Sequence, residues 1–215
     1  MPVVWLPWPR TTASTCRSGE RRRVSYRIEL RAGKLHIETR REDLPLEALL
    51  DFASRQNPRR GFLFVSRVLG KHIPVEPARM REVHRRLAEQ LVDLPGPVVV
   101  VGMAETATGL GGGVADSLAS LRGGDDVLFM HTTRHPLPGK SLLCFDENHS
   151  HAPDHLLYLP EGDDLALFRG ARSLVLVDDE ISTGRTLRRL AHELMHHLPA
   201  LRVCRATSIV NWLSP

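Results

Sequence analysis

The 215-residue chain is poor in aromatic residues, at 5%, and has only three cysteines, Cys16, Cys144 and Cys204. They are widely spaced, odd in number and form no CxxC pair. That excludes a disulfide framework or a zinc knuckle and fits the reduced thiols of a cytoplasmic protein. No stretch approaches the ~18 apolar residues of a membrane span, so no membrane partner is expected. The pairing of low hydrophobicity with high net charge that marks disorder is also missing, since 42% of residues are hydrophobic and the net charge is +4. At the N-terminus only Val3 to Leu6 are apolar before Pro7, with no basic residue ahead of them, too short a run for a signal peptide.

The sequence pI of about 9.3 suggests a nucleic-acid binder until the charge is located. Residues 1–27 hold six arginines (Arg10, Arg17, Arg21, Arg22, Arg23, Arg27) against one acid, Glu20, and so carry the whole positive excess. The rest of the chain is close to neutral, and nucleic acid is not the expected partner. Residues 1–24 are expected to be a disordered basic tail and residues 25–215 to form one folded domain.

What is present is alternation. Tyr26, Ile28 and Leu30, a turn at Ala32-Gly33, then Leu35 and Ile37 predict a β-hairpin. Asp43 is expected to cap a helix through Leu46, Leu49, Leu50 and Ala53, with Pro45 in its first turn. Apolar strands are expected at 61–65, 97–101, 126–130, 155–159, 173–177 and 203–210. Helices are expected over about 77–94, 109–121, 163–169 and 184–198, and an irregular polar segment over His131 to Pro153. Continuous apolar strands alternating with helices imply a doubly wound α/β fold, its mostly parallel sheet covered on both faces. In such sheets ligands bind beyond the carboxyl ends of the strands.

One segment concentrates the chemistry. Leu174-Val-Leu-Val177 runs into Asp178-Asp179-Glu180-Ile181, then Ser182-Thr183-Gly184-Arg185-Thr186 at the start of a helix. Two adjacent carboxylates ending a buried strand are costly unless a cation or hydroxyl donors meet them. The following turn offers free backbone amides, a helix dipole and three hydroxyls, a natural phosphate cradle. Acids for sugar hydroxyls beside a nest for phosphate describe a ribose 5-phosphate site.

This segment resembles the motif of type I phosphoribosyltransferases that binds 5-phosphoribosyl 1-pyrophosphate (PRPP). Its usual form is four apolar residues, two acids, two variable residues and Thr-Gly-x-Thr. The resemblance implies that Asp178 and Asp179 hold the ribose hydroxyls and that Ser182, Thr183, Gly184, Arg185 and Thr186 wrap the 5-phosphate. Gly102-Met-Ala-Glu-Thr106 is similar to the family's pyrophosphate loop, which brings in Ala104, Glu105 and Thr106. Arg134 and Lys140 would neutralise the pyrophosphate, and the 131–153 segment would close over the site. Ser66, Lys71 and His72 would belong to a hood over the acceptor base. Mg²⁺, held mainly by the substrate, is the implied cofactor, and a homodimer the implied assembly.

Phrases at 60–74, 102–111 and 149–155 are similar to an orotate-phosphoribosyltransferase-like bacterial subgroup encoded with tellurite-resistance and stress genes. Ser182 stands where purine-salvage members place an aspartate, which argues against a 6-oxopurine acceptor. The implied activity is transfer of ribose 5-phosphate to a nitrogenous base. The alternative is a catalytically weak PRPP-binding regulatory module.

Other motifs fail on inspection. His192-Glu193-Leu-Met-His196 is a literal HExxH, but Leu187, Leu190, Ala191, Leu194 and Leu198 define the buried stripe of its helix. Both histidines then fall on the solvent side, and no third ligand follows. Gly139-Lys140-Ser141 lacks the opening glycine of a P-loop, and Gly109 to Gly113 lacks the third glycine of a dinucleotide fingerprint. His149, His151 and His155 with Asp146, Glu147 and Asp154 read as a hydrated loop or one that reaches substrate. Elemental analysis of purified protein is therefore expected to find no stoichiometric zinc, and one zinc per chain would contradict this reading of the histidines.

Overall fold

The structure, a computed structural model, describes residues 4–5, 24–31, 33–54, 56, 61–71, 73–138, 142–145 and 155–213. Contacts divide the chain into two compact units, residues 10–80 and residues 81–215 with 1–9. Much of the basic tail expected at 1–24, apart from a two-residue strand, lies outside the described residues.

The smaller unit is built from two hairpins. Strands β2 (Val24–Leu30) and β3 (Gly33–Thr39) pair antiparallel from Val24↔Thr39 to Leu30↔Gly33. The predicted alternation holds, with Tyr26, Ile28 and Leu30 half-buried between exposed neighbours. Helix α1 is a single turn, Leu46–Leu49, and corrects the longer helix expected through Ala53. Residues Leu50–Ser54 instead form β4, paired with β5 (Phe62–Ser66) from Leu50↔Ser66 to Ser54↔Phe62. Cross-strand pairing and the Phe52, Phe62 and Phe64 ring contacts outweigh local helical spacing here. Asp43 is not the cap either. Its carboxylate accepts from the Arg41 guanidinium, and Pro45 occupies the N-cap.

The larger unit is the expected doubly wound sheet. Its strands are β1 (Val4–Trp5), β6 (Val98–Gly102), β7 (Val127–His131), β10 (Ser173–Ile181) and β11 (Val203–Asn211), in the order β1-β11-β10-β6-β7. All four pairings are parallel. The strand residues 98–102 and 173–177 are all buried, as their unbroken apolar sequence requires. Helix α2 (Pro77–Glu89) precedes β6, α3 (Thr108–Arg122) links β6 to β7, and α4 (Gly162–Arg169) precedes β10. Helix α5 (Arg185–Met195) links β10 to β11. A further pair, β8 (Leu142–Phe145) and β9 (His155–Tyr158), is antiparallel. The polar segment expected to be irregular thus contains a strand, paired with β9 from Leu142↔Tyr158 to Phe145↔His155.

The winding decides where a ligand goes. From β6 the chain moves through α3 to β7, on one side, whereas from β10 it moves through α5 to β11, on the other. Right-handed crossovers in opposite directions put the two helices on opposite faces. The loops leaving β6 and β10 therefore part, and a crevice opens between two neighbouring strand ends. One glycine fixes the height of this floor. A Cβ on Gly111 of α3 would lie 2.8 Å from the Gly102 Cα, backbone against backbone.

Gly111→Ala is therefore expected to destabilise the protein by about 1–3 kcal/mol through overpacking, despite the ~1 kcal/mol that alanine contributes to helix propensity. At Gly112 the same methyl would meet only the Phe129 ring, at 3.4 Å. Gly112→Ala should be neutral or stabilising. Denaturant midpoints of the two variants check the pair, and equal effects would contradict the packing.

Candidate functional site

Strand β10 runs four residues past β6. The β6 pairing ends at Val177↔Gly102, while Asp178, Glu180 and Ile181 continue to pair with Ser208, Val210 and Asn211 of β11. Asp178, Asp179 and Glu180 lie inside the strand, later than its predicted end, and are half-buried. Successive strand residues face opposite sides, so the adjacent aspartates straddle the sheet edge that β6 has left.

Their electrostatics are unfavourable in the protein alone. Burial first, and then the Asp179 carboxylate, push the Asp178 carboxyl up to about 8, with Glu180 adding to the repulsion. The Asp178 Oδ1 accepts the Asp179 amide at 2.9 Å, which offsets the cost only in part. Among the described residues no lysine or arginine is paired with either aspartate. Such a pair is suited chemically to hydroxyl donors or a hard cation. Mg²⁺, which takes oxygen ligands and keeps much of its water, fits that donor set.

Beyond Ile181, Ser182 and Thr183 are exposed and Gly184 adopts a left-handed conformation, φ +65°, as the N-cap of α5. No side chain caps this helix and no acid stands in its first turn. The Thr183 Oγ1 lies a long 3.5 Å from the Arg185 amide. Arg185 and Arg188 stand near the positive end of the helix dipole, where cations are disfavoured. Backbone amides at a helix start beside guanidinium groups are the kind of place where an anion is favoured. The turn expected at Ser182 to Thr186 is there.

Across the crevice the loop after β6 is held from both flanking strands. The Met103 amide donates to Val177 O of β10 at 2.9 Å, and the Ala107 amide closes the turn on Met103 O at 2.9 Å. From the other side Thr132, just past β7, donates its amide to Gly102 O at 3.0 Å. Its Oγ1 accepts the Ala104 amide at 2.7 Å. The Ala104–Glu105 peptide is cis. Glu105 is exposed and Thr106 half-buried.

Arg134, half-buried, follows Thr133, which bridges to Leu156 of β9. Its Nη2 lies 3.1 Å from His155 Nε2, and His155 Nδ1 lies 3.2 Å from Thr132 Oγ1. His155 is buried; sequence reasoning had grouped it with the loop histidines. The signal available was its place at the start of an apolar strand.

The larger unit thus holds Asp178, Asp179, the 182–186 turn, the 103–107 loop and Arg134. Lys140 lies outside the described residues, as do His149, His151, Asp146, Glu147 and Asp154. Ser66 and Lys71 belong to the smaller unit. There the Ser66 Oγ accepts the Val68 amide at 3.2 Å, and Lys71 is exposed; His72 lies outside the described residues. On α5, Leu187, Leu190, Ala191 and Leu194 are buried, and the exposed His192 and His196 stack edge to face on the outer surface.

A family model described as phosphoribosyl transferase matches residues 49–215. The β2–β3 hairpin falls outside that span. Among solved structures, adenine phosphoribosyl transferase from Trypanosoma brucei, in complex with AMP, pyrophosphate and ribose-5-phosphate, is 17% identical. The match covers 81% of this chain and 71% of that one, with a TM-score of 0.56. Adenine phosphoribosyltransferase from Leishmania donovani is 15% identical over 77% of this chain and 66% of its own, with a TM-score of 0.52. At such identities the likeness is one of fold. No curated protein matches the chain.

The raised Asp178 pKa has a consequence for stability. A carboxyl at about 8 when folded and near 3.8 when unfolded binds more proton in the folded state between those values. Its contribution to stability is therefore full at low pH and lost as pH rises toward 8. Asp178→Asn is expected to raise ligand-free stability by on the order of 2 kcal/mol at pH 8. At pH 5 it should do so far less. Thermal melts of variant and wild type at both pH values check this, and equal shifts would contradict the assignment.

Proposed function

Since the chain belongs to the phosphoribosyl transferase family and is an enzyme of that type, we propose that it transfers ribose 5-phosphate from PRPP to a nitrogenous base. The C1–O bond to pyrophosphate breaks, the C1–N bond forms, and the base nitrogen gives up its proton. The observation that supports this most strongly is the pairing of two unneutralised aspartates with an uncapped helix N-terminus on one turn, across a crevice from an amide-lined loop.

Each part has a task. Amides and hydroxyls of residues 182–186 hold the 5-phosphate, and the Arg185 guanidinium adds charge. Asp178 and Asp179 accept hydrogen bonds from the ribose hydroxyls and so fix the ring. The 103–107 loop, with Ala104 and Thr106, and Arg134 bind the pyrophosphate and stabilise its growing charge as it leaves, and Glu105 is the candidate to handle the proton of the base. Mg²⁺, when bound, neutralises the pyrophosphate oxygens. Closure of the segment containing Lys140 excludes the water that would hydrolyse PRPP. Ser182 disfavours a 6-oxopurine. The phrases at 60–74 and 102–111 support the orotate-like subgroup, and the few, scattered thiols support a cytoplasmic setting.

The double variant Asp178→Asn, Asp179→Asn loses charge-assisted hydrogen bonds worth roughly 1.5–3 kcal/mol each, so its Mg²⁺–PRPP affinity is expected to fall at least ~100-fold. Calorimetry measures this. Unchanged affinity would reject the sugar site. Pyrophosphate release from PRPP across a panel of purine and pyrimidine bases tests turnover; binding without release for every base would favour the regulatory reading.

A further inference from the structure

We infer that His155 is a positioning residue that aims Arg134 at pyrophosphate and ties it to the loop after β6; this rests on the reading of that loop and Arg134 as the pyrophosphate subsite. The argument is one of donors and acceptors. A guanidinium has no acceptor, so the contact between Arg134 Nη2 and His155 Nε2 at 3.1 Å makes Nε2 the acceptor. The imidazole is then neutral, with its proton on Nδ1, which donates to Thr132 Oγ1 at 3.2 Å. That same oxygen accepts the Ala104 amide at 2.7 Å. A single chain of hydrogen bonds runs from the Ala104 amide through Thr132 and His155 to the Arg134 guanidinium. Thr132 and His155, its two inner members, are buried to 0% and 2% exposure. Buried hydrogen-bonded groups hold each other's rotamers tightly.

The placement adds a second consequence. His155 opens β9, in register with Phe145 of β8, so it carries the end of the β8–β9 hairpin into the chain. The hairpin, the arginine and the loop amide are thereby set together, and none can shift without disturbing the next.

The test separates two halves of the substrate. His155→Leu keeps an apolar side chain in the buried place and removes the acceptor. Calorimetry with two probes, Mg²⁺–pyrophosphate and ribose 5-phosphate, is expected to show about tenfold weaker pyrophosphate binding, the loss of one charge-assisted contact. Ribose 5-phosphate affinity should stay within twofold, because that ligand meets only the 178–186 turn. In an Arg134→Leu background the His155 substitution should add nothing further. His155→Gln, which restores an acceptor toward Arg134, should recover pyrophosphate binding to within threefold of wild type. That variant also serves alone if the leucine protein does not fold.

Equal losses for both probes would show a merely structural role and overturn the inference. So would unchanged pyrophosphate binding in His155→Leu, additivity with Arg134→Leu, or a tenfold loss in His155→Gln. Failure of the wild-type protein to bind either probe would instead overturn the functional reading on which the inference rests.

Discussion

The site depends on one mismatch in strand length. β10 continues through Ile181 while its neighbour β6 leaves the sheet at Gly102. The acids at 178 and 179 consequently sit at an edge with a partner strand on one side only. Had β6 run on, its backbone would fill the place where the crevice opens. Because the crossovers from these two strands go to opposite faces, the gap is bordered by two parting loops. One ends in the uncapped start of α5, and the other is pinned by Thr132 and Val177. The start of α5, the paired aspartates and the loop after β6 are brought together by topology before any side chain is chosen.

That arrangement carries a standing cost in the free protein. Burial and the neighbouring Asp179 carboxylate hold the Asp178 carboxyl near 8, so the folded chain resists having both acids charged. The helix beyond has no capping side chain and carries arginines where its dipole favours anions. On the proposed reading a phosphorylated sugar relieves both defects at once. Its hydroxyls and accompanying cation meet the carboxylates, and its phosphate meets the amides. On that reading, the unfavourable electrostatics of the turn are what leave binding energy available to the ligand.

Much of this was legible in the sequence because the parallel sheet writes itself plainly. Four-residue valine and leucine runs such as 98–101 and 174–177 fit strands covered on both faces, and Ser182-Thr183-Gly184 marks the turn into a helix. The helix expected from Gly184 starts there, with Gly184 as its N-cap. The hydrogen-bond chain through His155 was not legible, since it joins residues from three segments separated by up to 51 positions and no local pattern encodes such a contact. The helix expected over 46–53 failed for a related reason. Its leucine spacing is helical, but pairing of β4 with β5, a partner at a distance in sequence, decides the conformation. The strand β8 within a polar segment was missed in the same way. Local periodicity reports how a segment meets a surface, and it is silent on which other segment supplies that surface.

The central claim is that the turn following β10 grips a phosphorylated pentose by its backbone amides. Amide-resolved nuclear magnetic resonance during titration with ribose 5-phosphate measures this directly, because each amide at 183–186 reports its own environment. The account predicts that the largest shifts fall on those amides and on Asp178 and Asp179, with smaller ones elsewhere in the sheet. Shifts confined to other parts of the chain, or none at saturating ligand, would contradict it.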